Sequence, residues 1–269
     1  MRENGVEHAR RAYAVGENRV AREVELRTLG SDFGANGYAT LAEVGELAGL
    51  LGLRPGRWLL DVGCGQGWPG LYLARQTGCT VVLTDVPVDG LTTAARRATR
   101  EGLASRAWTV VARGQVLPLR PAMFDAVIHT DVLCCLAPKL ATLRATFRAL
   151  RSGGRTAFTV IFPAPGLTAG EARRAIEAGP PNCGLRTSYP SLLRSAGFVE
   201  IDERDRTADY AATASRKLEV AEQFAGQMIE MLGRQDYDQM HAERRLAVAA
   251  IGGGLLRRSL FVARRPAPR

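Results

Sequence analysis

From residue 53 onward the chain repeats one pattern: a short apolar run, a turn, then a longer segment with apolar positions at helical spacing. That rhythm is the signature of strand–helix units that build a parallel sheet. The apolar runs predict strands at about 57–62 (RWLLDV), 79–84 (CTVVLT), 108–112 (WTVVA), 124–129 (FDAVIH), 155–162 (RTAFTVIF), 198–204 (FVEIDER) and 258–264 (RSLFVAR). Helices are expected at about 68–77, 88–102, 138–150 and 189–196, each short enough to cross between parallel neighbours. Seven strands in this order predict an open, doubly wound α/β sheet.

Ahead of the first strand, Thr40 and Glu43 have the spacing of a capping box. Leu41, Val44, Leu47, Ala48 and Leu51 then recur at helical intervals until Arg54-Pro55-Gly56 ends the element. Two stretches stand outside the strand–helix rhythm: 163–188, rich in Pro, Gly and Ala, and 207–252, which is helical in pattern. Insertions of this size over an α/β scaffold commonly act as lids or binding loops. The expected organisation is therefore an N-terminal helical segment (1–52), an α/β core (53–206), a helical cap insertion (207–252), and the last strand of the sheet with its tail (253–269).

Composition narrows the class. With 269 residues, 46% hydrophobic and 23% charged, the chain can bury a full core, which excludes a disordered tail, a collagen-like chain and a small disulfide scaffold. No apolar run approaches the ~18 residues of a membrane span, and the N-terminus is charged where a signal peptide would be apolar, so a soluble, cytoplasmic protein is expected. Five cysteines (Cys64, Cys79, Cys134, Cys135, Cys183) include no CxxC pair, so all are expected reduced and no metal site is indicated. The formal charge of +9 raises the question of a nucleic-acid partner. Residues 53–160 hold most of the surplus, 14 basic against 6 acidic, much of it on Arg96, Arg97 and Arg100 and on Lys139, Arg144, Arg148 and Arg151. Without a basic run interleaved with aromatics, these read as solvated helix faces, and neither a nucleic acid nor a membrane is expected as partner.

The chemistry is concentrated in residues 59–70, LLDVGCGQGWPG, an apolar strand that runs into a glycine-rich turn and then a helix. Gly63, Gly65 and Gly67 let a ligand approach the backbone, and a helix start supplies unpaired N–H groups. Asp85 follows at the end of the second strand, where a carboxylate can accept from both hydroxyls of a ribose. Gly65, Gly67 and Gly70 alone would also satisfy a dinucleotide fingerprint. Asp61 argues the other way, since a negative charge just before the turn suits a cofactor with a free amino group and repels a pyrophosphate.

With these residues in place, the sequence resembles the class I S-adenosylmethionine-dependent methyltransferases, in particular the small-molecule branch of the ubiquinone and menaquinone type. The resemblance covers roughly residues 40–204 and rests on LLDVGCGQG, VVLTDV, LPLRPAMFDAVIHTDVLCCL and ALRSGGRTAFTV, in that order. It implies a Rossmann-like seven-stranded sheet. It further implies that Asp61 and the turn Gly63, Cys64, Gly65 and Gly67 hold the methionine end of S-adenosylmethionine, that Asp85 holds the ribose, and that Val86 packs on adenine. Gly114 and Gln115 would lie by the adenine, and His129 and Thr130 next to the sulfonium. The chain departs from the family pattern at Arg113, where an acid usually accepts from the adenine amino group; Gln115 or a backbone carbonyl must substitute, or affinity falls, at a cost of ~1–2 kcal/mol.

Methyl transfer from a sulfonium needs alignment and exclusion of water, and a base only for a protonated acceptor. His129 is the candidate base, against the alternative of a ring satisfied by a neighbour. Asp131 would orient it or meet a cationic acceptor, or else cap the following helix. Cys134 and Cys135 read as small buried hydrophobes. Candidate acceptor contacts are Tyr13, Tyr38, Trp68 and Tyr189, with Glu17, Arg19 and Tyr210 in the same segments, each of which could equally pack or face solvent. His8 and His241 have no ligand spacing. The expected activity is methylation of a small molecule at oxygen or nitrogen, with S-adenosylhomocysteine as product. The alternatives are a nicotinamide-dependent oxidoreductase and an S-adenosylmethionine-binding protein without turnover.

Overall fold

The computed structural model describes Tyr13 and residues 18–267. Helix α1 spans Arg19–Leu29 and α2 spans Leu41–Leu50. The strand–helix core then runs β1 (Trp58–Val62), α3 (Gly70–Thr77), β2 (Thr80–Asp85), α4 (Val88–Arg100), β3 (Ala107–Val111), β4 (Phe124–Thr130), α5 (Lys139–Ala149) and β5 (Leu150–Pro163). The remainder comprises α6 (Ala169–Ala178), α7 (Tyr189–Ala196), β6 (Val199–Asp205), α8 (Thr207–Gln223), α9 (Ala225–Leu232), α10 (Arg234–Gly252) and β7 (Leu256–Arg264). All seven expected strands form, in the order β3-β2-β1-β4-β5-β7-β6, with β7 antiparallel to both its neighbours. The doubly wound α/β sheet is thus present, and its strand order reverses between the parallel neighbours β1 and β4, where open α/β sheets place their ligands.

Strand alternation sorts the core onto two faces. Leu60, Val62, Val127, Phe158 and Phe261 meet α5 and α7 on one side; Leu59, Val81, Leu83, Ile128 and Leu260 meet α2, α3 and α4 on the other. A third cluster lies off the sheet: Val24 of α1 packs with Val220 and Ala221 of α8, Met228 of α9 and Tyr237 of α10. Helix α1 is therefore built into the same small bundle as the helices between β6 and β7.

Three expectations on charge and capping are corrected. Thr40 caps α2 by accepting from Glu43 N–H at 3.3 Å, but the Glu43 carboxylate leaves the box for Arg258 on β7, with both Nη1 contacts at 3.0 Å. Arg97 does not lie on a solvated face: it is 2% exposed, donates to the Asp32 carbonyl and lies over Phe33. Lys139 is likewise buried, with its ammonium on the carbonyls of Leu136 and Asn182 at 3.0 and 2.6 Å. No helix among the described residues is long and apolar enough to cross a membrane.

Arg258 is fully buried and binds two acids. Its Nε donates to Asp131 Oδ1 at 2.8 Å and its Nη1 to Glu43. Removing a lone cation leaves two buried carboxylates facing each other, so Arg258→Met should cost about 3–5 kcal/mol in urea unfolding. Adding Glu43→Gln and Asp131→Asn to that variant should recover much of the loss, since the penalty belongs to the uncompensated charge. Equal losses in the single and triple variants would mean that packing, not charge, sets the cost.

Candidate functional site

At the carboxyl end of β1 the chain makes a tight turn. Gly63 and Gly65 adopt φ of 76° and 54°, and a Cβ on Gly63 would stand 2.6 Å from Val132 Cγ2, so neither side chain nor ordinary backbone fits there. Gly63 and Cys64 N–H both donate to the Thr84 carbonyl, at 2.7 and 3.1 Å, which ties the turn to β2. Gly65 N–H donates to Asp85 Oδ2 at 2.7 Å, and Val86 N–H to Asp85 Oδ1 at 2.7 Å. Asp61, fully buried beneath the turn, accepts from Gly70 N–H through Oδ2 at 2.9 Å, and its Oδ1 has no partner.

These two carboxylates have no cation beside them among the described residues. Burial, with Asp85 as a like charge, pushes the Asp61 carboxyl well up from its ordinary value despite the Gly70 hydrogen bond. Burial also raises Asp85, against the bonds from Val86, Gly65 and Tyr13. Gly114 is buried against Thr142 and Val62, while Gln115 is half-buried with no side-chain partner among the described residues; Arg113 is exposed.

Several candidates sit elsewhere than expected. The His129 ring is fully buried and stacked on Phe158 at 4.5 Å, with neither nitrogen bonded; burial lowers its pKa to about 3. A ring so enclosed reaches no acceptor and holds a proton only weakly, which corrects its expected role as base; only the His129 backbone and Thr130 remain at the strand end. Asp131, with φ of 56°, neither orients His129 nor caps a helix. Its oxygens take Arg258, the Thr159 hydroxyl at 3.0 Å and Tyr38 N–H at 2.9 Å; burial raises this carboxyl, but Arg258 and the other donors hold it below its ordinary value. Trp68 is 5% exposed, packed on Phe33 and Tyr72, with its indole N–H on the Ala39 carbonyl. Tyr189 is 1% exposed among Phe158, Phe162 and Phe261. Both are core residues and not acceptor walls. Tyr13 lies on Asp85, with its hydroxyl donating to Oδ2 at 3.0 Å. Glu17 and His8 lie outside the described residues.

Tyr38 is half-buried, its ring edge-on to Tyr210 at 4.7 Å and under the Lys217 ammonium at 4.9 Å. Lys217, absent from the expected set, donates to the carbonyls of Gly37 and Asn36 at 2.5 and 3.4 Å. Burial, reinforced by Arg244, lowers it to about 7. Arg244 donates to the Lys217 carbonyl at 3.4 Å, and neither cation has a carboxylate partner among the described residues. Glu25 was also missed: it is 7% exposed, accepts Gly34 N–H at 2.9 Å and leaves Oε1 unbonded.

Comparison with known proteins agrees with this geometry. Residues 60–158 match the methyltransferase domain family model. The 27-O-demethylrifamycin SV methyltransferase of Amycolatopsis mediterranei is 30% identical over 192 residues, covering 70% of each chain. Phosphoethanolamine N-methyltransferase 3 of Arabidopsis thaliana is 26% identical over 89% of this chain, which spans about half (48%) of that protein. Among solved structures, Haemonchus contortus phosphoethanolamine N-methyltransferase 2, with phosphomonomethylethanolamine and S-adenosylhomocysteine, superposes at TM-score 0.78 and 17% identity, covering 95% of this chain and 59% of that one. The [4+2]-cyclase SpnF superposes at 0.75 and 20%, covering 99% and 98%. The chain belongs to the class I S-adenosylmethionine-dependent methyltransferase family. The relatives described are named for phosphoethanolamine and rifamycin substrates and not for quinones.

The buried Glu25 carboxyl should be visible in the stability of the fold. Burial outweighs its hydrogen bonds and raises it from 4.5 to about 7. The folded state then holds a proton that the unfolded chain has already lost, so this group's contribution is present below the unfolded value and is lost as pH rises to about 7. At ~1.4 kcal/mol per unit the loss is about 3 kcal/mol at most. Urea unfolding at pH 5 and pH 8 should show a smaller drop for Glu25→Gln than for the native chain; equal drops would place the titration elsewhere.

Proposed function

We propose that this protein transfers a methyl group from S-adenosylmethionine to an oxygen or nitrogen of a small molecule, releasing S-adenosylhomocysteine. One observation carries the reading: among the described residues, Asp61, fully buried, and Asp85, half-buried, stand at the glycine turn without a cation, and one oxygen of Asp61 has no donor. A cofactor with an ammonium and a sulfonium brings the missing positive charge. A nicotinamide dinucleotide would bring a pyrophosphate to the turn above Asp61, which counts against the oxidoreductase alternative.

Asp61 and the turn from Gly63 to Gly67, with Cys64 and Gly65, would hold the methionine end. Asp85 would hold the ribose, Val86 and Gly114 would flank the adenine, and Gln115 offers the acceptor that Arg113 lacks. When bound, S-adenosylmethionine supplies a methyl group activated by its positively charged leaving group. The chain's own work is then to align the acceptor at the Thr130 edge of the sheet and to keep water away. With His129 enclosed and Asp131 committed to Arg258, no base stands among the expected residues, which favours an acceptor that arrives deprotonated or loses its proton to solvent.

Lys217 and Arg244 favour an acceptor that carries an anionic group. Two desolvated cations without an acid partner, beside Tyr38 and Tyr210, are matched by a phosphate or carboxylate. Among the substrates in the relatives' names this feature fits phosphoethanolamine better than a rifamycin or a sterol.

Thermal unfolding with S-adenosylmethionine, S-adenosylhomocysteine and NADPH in parallel tests the cofactor, since a ligand at 100 times its dissociation constant adds about 2.7 kcal/mol to the folded state. Stabilisation by the sulfur compounds alone is expected; stabilisation by NADPH alone would overturn the reading. Because a cation favours ionised Asp61, whose carboxyl burial has raised, binding should release a proton and weaken as pH falls. Asp61→Asn should weaken S-adenosylmethionine about 10- to 100-fold and flatten that dependence.

With phosphoethanolamine as the probe acceptor, Lys217→Met should raise KM about tenfold or more with kcat less affected. Equal turnover of the probe and of uncharged ethanolamine analogues would sink the anionic assignment.

A further inference from the structure

Gly65 and Gly90 leave a notch beside Asp85, and the ring of Tyr13 lies in it. A Cβ on Gly65 would be 3.1 Å from Tyr13 Cε1, and one on Gly90 would be 2.8 Å from Tyr13 Cδ2. The space that two side-chain-free positions clear for a ligand is thus taken by a side chain of the same molecule. Tyr13 is held from both ends: its carbonyl accepts from Gln66 Nε2 at 2.8 Å, and its hydroxyl donates to Asp85 Oδ2 at 3.0 Å. Burial and the neighbouring Asp85 charge push the phenol up, so the hydroxyl keeps its proton and can only be a donor toward this acid.

The carboxylate cannot serve everyone at once. It offers about four acceptor positions, of which Gly65 N–H and Tyr13 take two on Oδ2 and Val86 N–H takes one on Oδ1. A vicinal diol laid across the carboxylate needs two. With Tyr13 in place only one remains, so the second ribose hydroxyl and the phenol hydroxyl contend for a single position.

We propose that Tyr13 sets the cofactor affinity of this site by acting as an intramolecular stand-in for a ribose hydroxyl on Asp85. The proposal rests on the methyltransferase reading above and deepens it. Tyr13 touches neither the methyl nor the acceptor in this role, so it is a specificity-determining residue and not a catalytic one. S-adenosylmethionine and S-adenosylhomocysteine share the ribose, so both are weakened by the same factor. The return of the hydroxyl to Asp85 then helps to expel the product, whose loss of the sulfonium charge does not by itself free the ribose.

Calorimetric titration of the native chain and of Tyr13→Phe with both sulfur compounds tests this. The phenyl ring keeps the packing in the notch and removes only the competing donor. Both dissociation constants should fall about 3- to 10-fold, by similar factors. In an Asp85→Ala background the same substitution should change them less than twofold, because the contested acceptor is gone. Weaker binding by Tyr13→Phe would make Tyr13 a direct cofactor contact and overturn the proposal. Unchanged affinities, with or without a lower melting temperature, would make it a packing residue and overturn the proposal as well. Failure of both proteins to bind either compound would remove the methyltransferase reading and this proposal with it, an outcome distinct from tight binding that the substitution leaves alone.

Discussion

The arrangement of the site depends on one buried guanidinium. Arg258 enters from the last strand, 215 residues away in sequence from Glu43 and 127 from Asp131, and binds both. Glu43 belongs to α2, before the sheet begins; Asp131 directly follows β4, at the carboxyl edge of the sheet. Asp131 in turn takes Tyr38 N–H, so the segment ahead of α2 is positioned through the same acid. A buried ion pair of this kind adds little stability over well-packed apolar residues, but it accepts few alternative geometries. The edge of β4 therefore reaches its final form only when β7 has inserted between β5 and β6.

Charge compensation separates structural groups from ligand-binding ones. Asp131 and Glu43 share Arg258 and are satisfied within the fold. Asp61 is as deeply placed and Asp85 is half-buried, but among the described residues both meet only N–H and O–H donors, and both carboxyls are raised. Lys217 and Arg244 present the converse, cations that donate to backbone carbonyls and have no carboxylate partner among the described residues. On the proposed reading, the glycine turn is an acidic end of the site and the helices between β6 and β7 a basic end. A cationic methyl donor and an anionic acceptor would each complete one end, and neither would be at home at the other.

The backbone was largely legible because it depends on local periodicity: the period of apolar residues located every strand, and the glycine spacing with Asp61 and Asp85 located the turn. What was not legible arises from contacts between distant segments. Arg258 opens an apolar strand and reads as an edge residue; nothing near it announces Glu43. Arg97 and Lys139 look like solvated helix positions until Phe33 and Asn182 fold over them. The misassignment of His129 was avoidable in part, since strand alternation puts it on the face of Val127 and Phe158, within a core cluster. A signal for Lys217 was also present. A chain that writes nearly all of its 36 basic residues as arginine keeps two lysines, Lys139 and Lys217, and both ammonium groups are fitted to backbone carbonyls, a task for a compact charge with rotatable donors.

The two ends of the site are joined by a short strap. Gly34 lies against Gln66 of the glycine turn, where a Cβ would be 2.6 Å from Gln66 Cβ, and Glu25 holds it by its N–H. Four residues later, Tyr38 meets Asp131, Lys217 and Tyr210. Four residues span at most ~14 Å, and both ends of this strap are fixed by buried polar groups, so it has little slack to absorb a displacement. Gln66 also binds the Tyr13 carbonyl. A change at Asp85 that moved Tyr13 would therefore act on the same glutamine that seats the strap, which gives the glycine turn and the Lys217 region a continuous physical connection through Gln66, Gly34 and Tyr38.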